Sequence, residues 1–119
     1  ARWITQAEYD ALRDGSSFEK AYLAESGKSY TANITQGGQL VYFEFTPTES
    51  KTYTFYSTGS NDTYGYLYNA SQTRITSDDD GGSGSNFSIT YSMTAGTTYY
   101  IVARYYSSSN TGSFSVVFS

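Results

Sequence analysis

Apolar and polar residues alternate in several short stretches of this chain, and this alternation constrains its fold more than any other feature. In VYFEF (41–45) and FSVVF (114–118), a large apolar residue occupies every second position. Successive side chains of a β-strand point to opposite faces, so such a strand buries one face and exposes the other. Clusters of Gly, Asn, Ser and Asp separate these stretches at the spacing of a β-sandwich. The pattern therefore predicts two packed, antiparallel sheets.

Seven strands are predicted, at residues 30–34, 40–46, 52–57, 64–69, 87–93, 98–106 and 112–118, with a further short strand at 74–76. The period-two rule nominates the large core side chains, which are Val41, Phe43, Phe45, Tyr53, Phe55, Leu67, Phe87, Ile89, Tyr91, Tyr99, Ile101, Phe114, Val116 and Phe118. Burial of so many apolar groups can offset chain entropy, so we expect a fold that requires no cofactor.

The composition limits which folds and which partners are plausible for this chain. The chain has 119 residues, which suits one domain, and its 18% aromatic and 15% charged residues, with a single Pro, favour strands over helices. The net charge is −4 and the seven Lys and Arg are scattered, which argues against nucleic acid or an anionic membrane as partner. No apolar run approaches the roughly 18 residues of a membrane span. We expect an all-β domain that is monomeric within a larger multidomain chain.

Cysteine and histidine are both absent, and several classes of chemistry are excluded with them. A thiol nucleophile, a zinc site of Cys or His, and a nucleophile activated by imidazole all require these residues. Glycoside hydrolysis needs two carboxylates, but nothing positions Glu44, Asp62 or the 78–80 run as such a pair. We therefore expect a protein that is not an enzyme. The lack of disulfides fits a secreted bacterial protein, and without a recognisable signal peptide we expect a mature or excised segment.

The first seventeen residues differ from the rest of the chain. Thr5 and Glu8 form a capping box, and Gly15 follows as a stop signal, which together predict a short helix at 6–14. We expect residues 1–17 to form a helical extension packed on the sandwich, and residues 18–119 to form the sandwich itself. Trp3 either anchors this helix or joins a ligand site, because an indole offers a broad flat surface.

Two predicted strands place many tyrosines on the outer face of a sheet. Their alternation puts seven side chains on that face, which are Tyr64, Tyr66, Tyr68, Tyr100, Val102, Arg104 and Tyr106. A surface that needs only to be wetted has no need of five tyrosines, so we interpret this one as a binding face. The alternative interpretation is that exposed tyrosines stabilise the strands through cross-strand pairs.

Five stretches carry a resemblance to a known family. They are YFEFTP (42–47), KTYTFYSTGSNDTYGYLYNAS (51–71), SDDDGG (77–82), ITYSMTAGTTYYIVARY (89–105) and TGSFSVVF (111–118). In this order they resemble the bacterial pre-peptidase C-terminal (PPC) domain, which is similar to the collagen-binding modules of clostridial collagenases. The resemblance covers residues 18–118 and implies a jelly-roll-like β-sandwich that serves as a non-catalytic accessory domain of secreted proteins. It does not identify a ligand.

One position departs from the family pattern. Many PPC domains have an Asp-Leu pair where this chain has Tyr64 and Gly65. The change adds an aromatic ring to the outer face. Because Gly has no side chain, we also expect it to thin the core beneath.

The sheet order of the family implies that the strand at 40–46 joins those at 64–69 and 98–106. The outer face would then form one platform, consisting of Tyr42, Glu44, Tyr64, Tyr66, Tyr68, Tyr100, Arg104 and Tyr106. A tyrosine ring covers the apolar C–H face of a pyranose, while its hydroxyl hydrogen-bonds sugar hydroxyls. We therefore expect a carbohydrate-binding module of a secreted or cell-surface bacterial protein, with polysaccharide as partner. A matrix protein such as collagen, or a structural spacer without ligand, are the alternatives.

The densest acidic run is formed by Asp78, Asp79 and Asp80, and Asp62 stands at the start of the preceding strand. Calcium favours clustered carboxylate oxygens, so these four residues are candidate metal ligands. Asp and Gly also form turns in which the side chain caps its own backbone, and no EF-hand spacing is present. The sequence leaves calcium binding and turn formation open.

Overall fold

The computed structural model describes Thr5 and residues 13–82 and 84–119, and its fold is all-β. Within these residues the strands are β1 (Tyr22–Ala24), β2 (Lys28–Ile34), β3 (Val41–Phe45), β4 (Lys51–Thr58), β5 (Thr63–Tyr68), β6 (Arg74–Asp78), β7 (Ser88–Met93), β8 (Tyr99–Tyr105) and β9 (Gly112–Phe118). The described residues contain no helix with the length and apolar character to cross a membrane.

The strands form two sheets that pack against each other. The first sheet has the order β1-β3-β8-β5-β6, and the second has the order β2-β9-β4-β7. Neighbouring strands are antiparallel except for β1 and β3, which are parallel. The predicted antiparallel β-sandwich is therefore confirmed. Strands β3, β8 and β5 are adjacent in one sheet, as the family resemblance implies.

Phenylalanine rings fill the space between the sheets. Phe118 of β9 lies 5.5 Å from Phe43, 5.7 Å from Phe45 and 5.2 Å from Phe55, measured between ring centroids. Aromatic pairs at such distances contribute about 0.5–1.5 kcal/mol each beyond the burial of their area. All the predicted core residues are buried except Tyr91, which is partly buried and packs against the core.

All seven predicted strands are present, and the short strand predicted at 74–76 extends to Asp78. Strand β1 was not predicted, because its three residues, YLA, are too few to show alternation. The predicted helix at 6–14 lies outside the described residues, apart from Arg13 and Asp14, which are not helical. The proposed boundary between residues 17 and 18 stays a prediction.

The expectation that Gly65 thins the core is wrong, because Phe87 occupies the space beneath it. A Cβ atom at Gly65 would lie 2.4 Å from Cδ1 of the Phe87 ring, which is 0% exposed. The missing side chain on β5 thus makes room for a larger ring that enters the core just before β7. The Phe87 ring therefore fills the space that a side chain at position 65 would occupy, and no core volume is lost.

Replacing Gly65 by Ala should lower the free energy of unfolding by about 1–3 kcal/mol, because the added methyl group must displace the Phe87 ring in a close-packed core. Denaturant unfolding followed by circular dichroism measures the change. Gly59→Ala is the matched control, since its Cβ would approach no other atom closer than 3.4 Å. We expect the control to stay within about 0.5 kcal/mol of the wild type. Equal stability of the Gly65→Ala variant and the wild type would contradict this packing.

Candidate functional site

The eight residues predicted as a ligand platform lie on the outer face of the first sheet. In β3, β5 and β8 they alternate with the side chains that form the core. Cross-strand pairing arranges the face in rows, which are Tyr64–Arg104, Tyr66–Val102–Tyr42 and Tyr68–Tyr100–Glu44. Tyr106 follows β8, and its ring lies 6.0 Å from that of Tyr64. The sequence thus correctly places these side chains together.

Phe18 packs against one half of this face. Its ring centroid lies 4.9 Å from that of Tyr42, 5.1 Å from that of Tyr68 and 5.2 Å from that of Tyr100, and the ring planes are steeply inclined to each other. These are edge-to-face contacts, in which the positive ring edge meets a negative face. Val102, at the middle of the face, is only 1% exposed. We call Tyr42, Glu44, Tyr68 and Tyr100 the covered half.

Arg13 binds to the same half of the face. Its Nη1 atom lies 3.5 Å from Oε1 of Glu44 and donates a hydrogen bond to the carbonyl of Ala21 at 2.8 Å. Burial raises the pKa of the Tyr42 and Tyr68 hydroxyls above their ordinary values. The eight predicted residues therefore share one face but do not form one open surface.

The remaining residues, Tyr64, Tyr66, Arg104 and Tyr106, form the open half. The Tyr64 and Tyr66 rings are 4.9 Å apart, and the Arg104 guanidinium carbon lies 5.1 Å and 5.8 Å from their respective centroids. Arg104 Nε donates to the Tyr66 hydroxyl at 3.0 Å, and Nη1 donates to the Tyr106 carbonyl at 3.4 Å. Tyr106 is 51% exposed. Cation–π contacts and a hydrogen bond thus hold the rings of Tyr64 and Tyr66 against one guanidinium, and the Tyr106 ring packs beside Tyr64.

Sequence reasoning gives no indication that Phe18 or Arg13 lies at this face. Phe18 stands alone in the polar stretch SSFEK, outside any alternating run, and Arg13 falls in the predicted helix. The one feature of the sequence that could have indicated this contact is that Phe18 is a single apolar residue in a polar segment. Burial of a Phe side chain is worth roughly 1.5–3 kcal/mol, so a lone Phe in a polar segment is expected to find an apolar surface.

Three of the four predicted metal ligands come together at one end of the sandwich. Asp62, Asp79 and Asp80 each place a carboxylate oxygen within 4.8 Å of the other two, and we call them the acidic cluster. Asp78 lies outside this cluster. Its Oδ2 atom accepts hydrogen bonds from the amides of Gly81 at 2.7 Å and Ser88 at 2.9 Å. Asp78 therefore has the turn-forming role that the sequence offered as the alternative to metal binding.

A buried hydrogen-bond network fixes the position of the acidic cluster. The Ser57 hydroxyl shares a 2.7 Å hydrogen bond with the Thr63 hydroxyl and donates to Oδ1 of Asn86 at 2.9 Å. Asn86 Nδ2 in turn donates to the carbonyl of Gly59 at 3.0 Å. All three polar side chains are buried, so the network is costly to break. It joins the turn before β5, which carries Asp62, to the segment between β6 and β7.

Two carboxylate oxygens of the acidic cluster, Oδ1 of Asp62 and Oδ1 of Asp79, are buried without a hydrogen-bond partner among the described residues. Desolvation, reinforced by the neighbouring Asp62 and Asp80 carboxylates, raises the pKa of Asp79 to about 6. A carboxyl whose pKa is higher in the folded than in the unfolded state stabilises the fold at acid pH. This contribution is lost as the pH rises from about 4 through about 6. At neutral pH the ionised Asp79 carboxylate is therefore less favourable for folding than its protonated form.

A concavity of about 500 Å³ lies beside the covered half, and no residue of the open half lines it. Tyr42 lines it together with the loop at 35–40. The carboxamide of Gln39 braces that loop by accepting from the amides of Thr35 at 2.8 Å and Gln36 at 3.1 Å. Tyr42 is the one member of the predicted platform that borders this groove.

No family model matches this chain, and no curated protein is similar to it at a significant level. Its fold is shared with solved structures. The PPC domain of a collagenase from Bacillus anthracis has a TM-score of 0.67 at 13% identity, and the match covers 83% of this chain and 94% of that domain. The PPC-like β-sandwich expected from the sequence stretches is thereby confirmed.

Two further structures share the fold with other activities. A mitogen derived from Yersinia pseudotuberculosis has a TM-score of 0.58 at 18% identity, covering 77% of this chain and 83% of that one. A periplasmic inhibitor of g-type lysozyme from Aeromonas hydrophila has a TM-score of 0.57 at 12% identity, covering 82% and 94%. At such identities the likeness shows the fold and does not transfer a function.

Replacing Phe18 by Ala should lower the free energy of unfolding by about 1.5–4.5 kcal/mol, because the variant loses three edge-to-face contacts worth about 0.5–1.5 kcal/mol each. Thermal and denaturant unfolding measure the change. The matched control is Leu23→Ala, whose side chain is 47% exposed on β1, and we expect it to stay within about 0.5 kcal/mol of the wild type.

The same variant should also lower the pKa of the Tyr42 and Tyr68 hydroxyls, since less of their surface is then desolvated. Ring-labelled tyrosine NMR at alkaline pH follows each hydroxyl separately. Unaltered stability together with unaltered tyrosine titration would show that Phe18 does not cover this half of the face.

Proposed function

We propose that this chain is a non-catalytic carbohydrate-binding module of a secreted or cell-surface bacterial protein, and that polysaccharide binds to the open half of the tyrosine-rich face. The observation that carries the proposal is the cluster of Tyr64, Tyr66 and Arg104 with Tyr106 packed beside it, in which Tyr106 is exposed and the other three side chains are half-buried. Their rings offer flat apolar area, and the hydroxyls and guanidinium offer hydrogen-bonding groups beside it. A sugar ring presents the same combination of an apolar face and a polar rim.

The number of accessible rings sets the scale of the affinity. If each ring shields about 40 Å² of apolar sugar surface, it contributes on the order of 1 kcal/mol. Three rings with a few hydrogen bonds, less the entropic costs of association, give a dissociation constant in roughly the micromolar to millimolar range. Such an affinity suits a module that works by avidity, as one part of a longer chain.

Two alternatives make different predictions for binding experiments. A protein ligand such as collagen would use the same exposed rings and would bind the chain to fibrils. A structural spacer would use none of them, and the rings would then serve only to stabilise the sheet. The fold similarity does not choose among these roles, so the assay must include glycans and collagen.

Native gels that contain starch, cellulose derivatives, xylan, mannan or pectin, one at a time, test the proposal. We expect at least one polymer to retard the protein. Tyr66→Ala and Tyr106→Ala should each weaken binding by about fivefold to tenfold, because each variant removes one ring from the open half. Tyr56→Ala is the matched control, since Tyr56 is a half-buried tyrosine on the outer face of the other sheet. This control should migrate like the wild type.

Binding to fibrillar collagen without retardation by any glycan would favour the protein ligand. Absence of both would favour the spacer. Retardation that both open-half variants retain would show that glycans bind elsewhere on the molecule.

We further propose that the acidic cluster binds calcium. Three carboxylates within reach of one ion, two of them with buried oxygens that lack hydrogen-bond partners, support this proposal. Calcium takes oxygen ligands of this kind in flexible geometry. A bound cation would supply the missing partner for these oxygens and would offset the repulsion among the carboxylates.

Calcium should raise the melting temperature at pH 7 and should do so less at pH 5, where Asp79 is protonated because its pKa is about 6. In EDTA, wild-type stability should fall between pH 5 and pH 7 more than that of Asp79→Asn, which lacks the titrating group. Differential scanning calorimetry measures both effects. Asp62→Asn should abolish the calcium response, whereas Glu49→Gln, at an exposed carboxylate elsewhere, should retain it. A wild type that does not respond to millimolar calcium would contradict this site.

A further inference from the structure

The cationic group in the open half, the Arg104 guanidinium, has no anionic partner among the described residues. In the described part of the chain, the ion pairs are Arg13–Glu44 and Lys28–Glu25, and neither includes Arg104. Its side chain is half-buried among tyrosine rings. Partial burial of a charge is costly unless the charge is paired, and cation–π contacts offset only part of that cost. The site therefore suits a ligand that brings a negative charge.

The guanidinium is also held in a fixed orientation. One of its five N–H donors is directed to the Tyr66 hydroxyl and another to the Tyr106 carbonyl, which leaves three without a partner among the described residues. The flanking rings of Tyr64 and Tyr66 restrict its rotation. A planar fork of donors with restricted motion matches the geometry of a carboxylate better than that of single hydroxyls.

We propose that the polysaccharide bound at the open half is acidic, and that Arg104 binds the carboxylate of a uronic acid residue while the neighbouring tyrosines contact sugar rings. This inference rests on the proposed function and specifies its ligand class. Charge-assisted hydrogen bonds are about twice as strong as neutral ones. The carboxylate should therefore account for a large share of the affinity, and the interaction should weaken as salt concentration rises.

A calcium ion in the acidic cluster would be a second possible cause of a preference for acidic polysaccharide. Asp62 lies two residues before Tyr64, a distance of about 7 Å along an extended chain. Bare carboxylates there would repel an acidic ligand, whereas a calcium ion there would attract one. Calcium and Arg104 must therefore be varied separately.

Matched pairs of polymers isolate the carboxylate. Polygalacturonate is compared with its fully methyl-esterified form, and alginate with its propylene glycol ester, by affinity electrophoresis in EDTA and again with calcium. Each pair shares a backbone and differs in the charge of its carboxyl groups. We expect the wild type to bind at least one acid form about tenfold more tightly than its ester in EDTA, and we expect this preference to diminish with added salt.

Variants assign the preference to Arg104. Arg104→Gln should bind the acid and ester forms equally, and Arg104→Lys should retain an intermediate preference because it keeps the charge without the planar fork. Lys51→Gln makes the same change in charge on β4 of the other sheet and should behave like the wild type. A thermal transition for each variant confirms that it is folded.

The possible failures are distinguishable. Equal binding of acid and ester forms by the wild type, or binding to neutral polymers alone, would overturn the acidic ligand and leave the carbohydrate-binding function intact. Absence of binding to every glycan would overturn both. A preference that survives in Arg104→Gln and disappears in EDTA would assign carboxylate recognition to calcium and overturn the role of Arg104.

Discussion

The pairing of β8 with both β3 and β5 is the constraint on which both surfaces of the first sheet depend. Cross-strand neighbours bring Phe43, Ile101 and Leu67 together on the core side. The residues that alternate with these core positions along the strands, including Tyr100 and Arg104 of β8, necessarily face outward. A shift of register by one residue would exchange the two faces. The hydrogen-bond ladder that buries the core therefore also fixes the order of the tyrosines on the outer face.

The two halves of the outer face have different contacts with the rest of the chain. The segment before β1 places Phe18 against three tyrosines and Arg13 against Glu44, so the chain itself occupies half of the face. The open half has similar tyrosine rings but is centred on Arg104, which has no carboxylate partner in the described part of the chain. The two halves thus differ in their occupants. The Phe18 ring of the chain itself covers one half, and we propose that an acidic sugar binds to the other.

Period-two alternation was sufficient to predict every strand except β1 and most of the core, because each strand buries one face. It also placed the tyrosines together, since residues two apart share a face. Contacts that depend on loops were not predictable: Phe18 belongs to no periodic run, and the division of roles between Asp78 and the acidic cluster depends on which backbone amides each carboxylate reaches. The role of Gly65 was misjudged because the ring that fills its space, Phe87, is distant in sequence.

The most direct test of this account is the NMR spectrum of ring-labelled tyrosines during titration with oligogalacturonate and, separately, with cello-oligosaccharide. We expect the signals of Tyr64, Tyr66 and Tyr106 to shift with at least one ligand, whereas those of Tyr68 and Tyr100, which contact Phe18, should not shift. Shifts confined to Tyr42 would place the ligand in the neighbouring groove and contradict the account. So would shifts of Tyr56 on the opposite sheet, or saturating binding without any change in the three open-half tyrosines.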